Sequence, residues 1–332
     1  MSLVWAAPAQ RAFSDWQVTC NNQNFCVARN TGDHNGLVMT LSRSAGAHTD
    51  AVLRIERGGL KSPDASEGEI APRLLLDGEP LALSGDKWRI SPWLLVTDDT
   101  ATLTAFLQMI QEGKAITLRD GNQTISLSGL KAALLFIDAQ QKRVGSETAW
   151  IKKGDEPPLS VPPAPALKEV AVVNPTPTPL SREERNDLLD YGNWRMNGLR
   201  CSLDPLRREV NVTALTDDKA LMMISCEAGA YNTIDLAWIV SRKKPLASRP
   251  VRLRLPFNSG QETNELELMN ATFDEKSREL VTLAKGRGLS DCGIQARWRF
   301  DGQRFRLVRY AAEPTCDNWH GPDAWPTLWI TR

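Results

Sequence analysis

The sequence predicts a mainly β protein with a few helices, built as two β-sandwich- or barrel-like domains, the first carrying two packed helices. Three observations predict it. Short apolar or alternating runs recur along most of the 332 residues and are separated by turn residues. Only two segments before residue 152 show a long helical period. One proline-rich stretch divides the chain, and typical domains of roughly 100–200 residues make two domains fit the length.

The first domain is expected over residues 10–152. Trp16–Cys20 alternates, and Gly36–Ser42 and Val52–Arg57 are further strand candidates. Arg73–Leu76 and Trp93–Val96 read as apolar strand cores. Lys114–Leu118 and Gln123–Leu127 flank Asp120-Gly121-Asn122, a hairpin signal. A helix opens at Thr97-Asp98-Asp99 and stops near Gly113, with Leu103, Phe106, Leu107 and Ile110 on one face. Asp98 and Asp99 stand where a cap and an N-terminal acid favour a helix. A second helix runs from Ser128 to about Gln141, with Leu130, Leu134 and Ile137 on its apolar face.

Residues 153–180 hold eight of the twenty prolines. Such a run cannot form a helix or a central strand and favours polyproline II, so it reads as a semi-rigid spacer. The second domain, 181–332, opens with the capping box Ser181-Arg182-Glu183-Glu184 and a short helix ending before Gly192. Thereafter it is strand-like: Glu209–Leu215, Ala220–Cys226, Leu236–Ser241, Val251–Leu255, Leu266–Asn270, and a last strand over Thr327–Thr331. Gln295–Phe300 and Arg304–Tyr310 surround the hairpin signal Asp301-Gly302.

Composition bounds the function. Lys plus Arg (40) equals Asp plus Glu (40), so no global field steers the chain onto nucleic acid or anionic lipid, and composition gives no reason to expect a local basic patch. No stretch approaches the roughly 20 apolar residues of a transmembrane helix. Leu3–Gln10 reads as the tail of a signal peptide, with Ala7-Pro8-Ala9 in cleavage-site form; a merely Ala-rich start is the other reading. The six cysteines are expected to pair along the chain as Cys20–Cys26, Cys201–Cys226 and Cys292–Cys316, as suits an oxidising compartment. Zinc is the competing reading, but there is no C-x-x-C, and His34, His48 and His320 are scattered. No metal or other cofactor is expected.

Catalytic motifs are few. There is no G-x-S-x-G elbow. Gly286-Arg287-Gly288 lacks the rest of a phosphate loop and reads as a turn. The pairs Asp98-Asp99 and Asp217-Asp218 could bind calcium or do acid–base work, and equally fit a helix cap and a hairpin turn. Eleven tryptophans are the most unusual feature. Trp16, Trp88, Trp238, Trp298 and Trp329 are assigned to the core. Trp319, in the loop Cys316-Asp317-Asn318-Trp319-His320-Gly321-Pro322, is a candidate binding residue.

The blocks Trp93-Leu94-Leu95-Val96-Thr97-Asp98-Asp99-Thr100, Gln111-Glu112-Gly113-Lys114 and Ser126-Leu127-Ser128-Gly129-Leu130 resemble the bacterial domain-of-unknown-function 1176 family. So do Cys226-Glu227-Ala228-Gly229-Ala230-Tyr231-Asn232 and Gly286-Arg287-Gly288-Leu289-Ser290-Asp291-Cys292-Gly293. The first half also resembles the invasion-associated locus B family, through Asp15-Trp16-Gln17-Val18-Thr19-Cys20 and the helix ending in Gly113-Lys114. These resemblances imply envelope or periplasmic residence and carry over no catalytic residue.

The expectation is a non-enzymatic periplasmic or cell-envelope binding protein, recognising a protein or envelope polymer and not nucleic acid. Its candidate binding residues are Trp319, His320, Asp291, Tyr231 and Asn232. The alternative is an envelope hydrolase, or an inhibitor of one, with a carboxylate site such as Asp98, Asp99 or Asp291.

Overall fold

In a computed structural model the chain is mainly β, with three α-helices among the described residues. The structure describes residues 7–48, 50–60, 68–83, 87–260 and 262–332. Of the signal-like segment, Leu3 to Ala6 therefore lie outside the described residues. The chain divides into two compact units: Met1–Ala166 with Thr315–Leu328, and Leu167–Pro314 with Trp329–Arg332. A division at one linear boundary misses the return of 315–328 to the first unit. There Asn22 N–H donates to Leu328 O (3.1 Å), and Leu60 N–H donates to Asn318 O (2.9 Å).

In the first unit, β1 (Ala9–Phe13), β2 (Trp16–Cys20), β3 (Cys26–Asn30), β4 (Leu37–Arg43) and β5 (Ala51–Arg57) run as an antiparallel meander. A smaller sheet contains β6 (Leu74–Leu76) and β7 (Glu79–Pro80). β8 (Arg89–Ile90) and β9 (Leu94–Thr97) extend the large sheet through β9 on β5, giving seven strands. β10 (Ala115–Leu118) and β11 (Thr124–Ser126) complete the smaller, four-stranded sheet.

Helix α1 (Thr100–Ile110) buries Leu103, Phe106, Leu107 and Ile110, the face its i, i+3, i+4, i+7 spacing defines. Asp99 caps it, accepting from Thr102 N–H at 2.9 Å. Helix α2 (Leu130–Gln140) lies against β1, β2 and β3 and buries Leu130, Leu134 and Ile137 in the same core as Trp16. Its Asp138 is also fully buried. It accepts from Trp150 and Ile151 N–H and pairs with Arg43 at 3.2 Å. Burial pushes the Asp138 carboxyl up, and burial with the neighbouring Arg143 brings the Arg43 guanidinium down to about 9. This network pins the chain that follows α2.

The second unit begins with helix α3 (Arg182–Met196), opened by the reciprocal Ser181–Glu184 capping box. Glu184 also meets the buried Arg242 (2.9 Å), which with Ser181 N–H holds its carboxyl at about 2. The helix does not stop before Gly192. It runs through that residue because the missing side chain lets α3 close on the sheet: a Cβ there would lie 2.5 Å from Val210 Cγ1. The sheet beneath comprises β12 (Val210–Ala214), β13 (Lys219–Ala228), β14 (Thr233–Ser241) and β15 (Ser248–Pro250). A two-stranded ribbon follows, β16 (Leu253–Arg254) with β17 (Glu265–Leu266), and β18 (Leu268–Met269) pairs with β14. A third sheet runs in the order β19 (Thr272–Asp274), β20 (Glu279–Lys285), β21 (Gly293–Phe300), β22 (Phe305–Glu313), β23 (Thr327–Ile330). The sheets are open; none closes into a barrel among the described residues.

Apart from a 3-10 turn at Pro158–Ser160 the proline-rich segment forms no helix or strand, and it is not a free spacer. Val161 is buried, and Gln23 donates to Pro165 O in the first unit. In the second unit Val170 N–H donates to Arg332 O, and Thr178 N–H donates to Asp217. Backbone groups that cannot join a helix find these partners instead.

All six cysteines are disulfide-bonded. Cys20–Cys26 bridges directly opposed residues of β2 and β3, and Cys201–Cys226 ties the loop after α3 to β13. No helix among the described residues is long and apolar enough to cross a membrane.

Candidate functional site: an arginine cleft in the second unit

The residues singled out by sequence are divided between the two units. Trp319 and His320 belong to the first unit; Asp291, Tyr231 and Asn232 belong to the second. Trp319 is not an exposed rim residue. It is 5% exposed, stacked on His320 at 4.4 Å and edge-on to His34 at 5.9 Å. Beneath it Asp317 meets Arg29 at 2.5 Å and His34 Nε2 at 3.1 Å, and accepts from Trp319 N–H. Asp291 is fully buried and accepts from both Nε and Nη2 of the Arg287 guanidinium. Tyr231 donates its hydroxyl to Gly286 O, and Asn232 bridges Lys285 and Asn270. Each of these side chains fastens a loop to its neighbours.

The carboxylate pairs are divided as well. Asp98 pairs with Arg89 at the surface, while Asp99 caps α1. Asp217 accepts from Thr178 N–H, and Asp218 accepts from the Thr216 hydroxyl within the β12–β13 turn. No group of three or more His, Cys, Asp or Glu among the described residues is placed to hold a metal ion.

A different feature of the second unit has the form of a binding site. A cleft of about 400 Å3 lies among β14, β15, β16, β22 and the chain at 168–170. Its lining includes Arg249, Arg252, Arg254, Arg304, Arg306 and Lys168, and among the described residues not one Asp or Glu. Its apolar lining includes Val170, Val251, Leu255, Leu307 and Trp329. Clefts of roughly 300–1,000 Å3 with an apolar floor and few convergent polar groups are the usual form of ligand sites.

The period of the strands builds it. Along Arg252-Leu253-Arg254-Leu255 and again along Arg304-Phe305-Arg306-Leu307, exposed arginines alternate with buried apolar residues. Successive strand side chains point to opposite faces, so each run sends its apolar residues inward and its arginines outward. β16 packs against β22, which sets the two arginine rows around one cleft. Leucine at 253 registers opposite Leu266 in the ribbon, fixing that alternation.

Three of the arginines have carboxylate partners just outside the lining. Arg254 pairs with Glu265 at 2.8 Å and Arg252 with the same oxygen at 3.7 Å; Arg306 pairs with Asp301 at 2.6 Å. Burial alone would raise the Asp301 carboxyl, but the backbone N–H groups of Arg304 and Gln303 and the Arg306 guanidinium outweigh it, and the carboxyl is lowered. Arg249 and Arg304 have no carboxylate within ion-pair distance among the described residues. The cleft therefore keeps an excess of positive charge in a chain whose formal net charge is zero. Composition concealed this patch; the signal was the spacing Arg-x-Arg on two separate strands.

The family model described as "Protein of unknown function (DUF1176)" matches residues 10–332, and the chain belongs to that family. Within it, the chain is similar to a protein of Escherichia coli (strain K12) named "Uncharacterized protein YpfG". The two are 98% identical over 331 residues, which span 100% of this chain and 95% of the relative. No solved structure matches the chain.

Proposed function

We propose that the chain is a non-enzymatic binding protein of the periplasm or cell envelope that holds a multiply charged anion in the arginine cleft of its second unit. The observation that carries this reading is the lining itself: among the described residues, six cationic side chains and no carboxylate. Guanidinium forks match the planar or tetrahedral oxygens of carboxylate and phosphate, and Arg suits such recognition better than Lys. Six bonded cysteines support an oxidising compartment. The signal-like Leu3–Gln10 and the likeness of Asp15–Cys20 to the invasion-associated locus B family point the same way.

Calorimetric titration with pyrophosphate, citrate and a neutral disaccharide tests the binding. Saturable binding of the anions, weakened by salt and lost in Arg249→Ala/Arg304→Ala, is expected. No anion binding by the parent protein would overturn the reading. The hydrolase alternative draws no support from Asp98, Asp99 or Asp291, because each carboxylate is engaged in a cap or an ion pair.

A further inference from the structure

We propose that the anion held by this cleft is the phosphoryl head of an amphiphile, a phosphate monoester carrying a hydrocarbon chain. The inference rests on the anion-binding reading and goes on to name its ligand. Two features of the cleft carry it together.

The first is charge. Among the described residues Arg249 and Arg304 stand without a carboxylate partner, whereas Arg252, Arg254 and Arg306 are partly balanced by Glu265 and Asp301. Two uncompensated guanidinia match one doubly charged head. A phosphate monoester carries a charge of about −1.5 to −2 near neutral pH, whereas a carboxylate carries one. The exposed arginine side chains can close on such a head without disturbing the core.

The second is the apolar surface between the arginine rows. Pro250 and Pro256 are exposed, and Val170 and Val251 are half-buried, so the cleft offers apolar area to a ligand. An inorganic anion would leave that area in water. A hydrocarbon chain covers it and gains roughly 25 cal/mol for each Å2 removed from water. The indole of Trp329 lies in the lining and reports the event.

The test uses the full oxidised chain and four probes: dihexanoyl phosphatidic acid below its micellar concentration, inorganic phosphate, hexanoate, and phosphatidylcholine vesicles with or without phosphatidic acid. Affinity is read by calorimetry and by Trp329 fluorescence against a Trp329→Phe control. Dihexanoyl phosphatidic acid is expected to bind at least about tenfold more tightly than phosphate or hexanoate. Arg249→Ala/Arg304→Ala should remove that advantage without changing the thermal midpoint. Binding to the short-chain lipid and equally to acidic vesicles would place the source in a membrane; binding to the short-chain lipid alone would place it in a soluble amphiphile. Equal affinity for inorganic phosphate and the short-chain lipid overturns this inference and leaves an anion site standing. No binding of any anion overturns both.

Discussion

His34 Nε2 lies 3.1 Å from Asp317 Oδ2, joining the loop after β3 to a segment almost at the end of the chain within the first unit. Gly36 N–H donates to the other ring nitrogen of His34 (3.0 Å), which fixes the plane of the ring beside Asp317. Arg29 shares the same carboxylate oxygen. Burial would raise the Asp317 carboxyl, but the His34 hydrogen bond and the Arg29 charge outweigh it, and its pKa is lowered.

Asp317→Ala should destabilise the first unit, because it takes from the buried Arg29 the carboxylate it meets at 2.5 Å; removing one member of a buried ion pair costs up to about 3–5 kcal/mol. Since the folded pKa is depressed, the contribution of Asp317 is present above the ordinary aspartate value of about 3.9 and is lost as pH falls through the folded value. Urea unfolding followed by tryptophan fluorescence checks both. A variant within a few tenths of a kcal/mol of the parent would show that Arg29 is adequately solvated.

His320 gives the first unit a second, milder acid sensitivity. Burial is the largest influence and lowers its pKa; Glu56 and Asp317 oppose, while Arg29 and Arg54 reinforce. The folded value thus lies below the ordinary value of about 6.5, and the unfolded chain takes up the proton first. Stability should fall as pH drops below about 6.5 and continue to fall until the folded form is protonated. His320→Gln should flatten urea midpoints across that window. An unchanged slope would assign the acid sensitivity to other groups.

How far the sequence foretold this protein depends on whether the signal was local. The buried face of α1 is the one its period defines, and Asp99 caps it, because both depend on residues a few positions apart. The bridges Cys20–Cys26 and Cys201–Cys226 join neighbours along the chain. Strand β3 escaped because Cys26-Val27-Ala28-Arg29-Asn30 is buried on both faces and so does not alternate. Trp319 looked like a loop residue free to bind. Its burial depends on His34, some 285 positions away. The arginine cleft was illegible for the same reason: its two rows meet only when β16 reaches β22.

Gly192→Ala should destabilise α3, against the propensity rule. In an exposed helix interior the change is worth about 1 kcal/mol in favour of Ala. Here the new methyl would sit 2.5 Å from Val210 Cγ1 and 3.1 Å from Met222 Sδ. Val210 is stiff about its first side-chain torsion, so α3 must move away from β12. Overpacking of this kind costs about 1–3 kcal/mol. Thermal unfolding of the oxidised variant decides it; a midpoint above the parent's would mean the helix relaxes freely.

The two bridges defined within single units should differ in worth. Cys201–Cys226 closes a sequence separation of 25, and Cys20–Cys26 one of 6. Loop-closure entropy assigns about 3.5 kcal/mol to the first and about 2 kcal/mol to the second. What each bridge leaves behind widens the gap. Without its bridge, the β2–β3 hairpin keeps its antiparallel ladder and its place against α2. The loop after α3 would keep Leu203 N–H on Cys226 O and the Arg208 guanidinium on the carbonyls of Met196, Cys201 and Leu203. Those bonds are only part-buried, and each contributes about 1 kcal/mol against the entropy of a freed segment. Urea midpoints of Cys201→Ala/Cys226→Ala should therefore fall further than those of Cys20→Ala/Cys26→Ala. Limited proteolysis should find new cleavage between residues 197 and 208 only in the former. The reverse order would mean that the short bridge organises the first sheet rather than merely closing its hairpin.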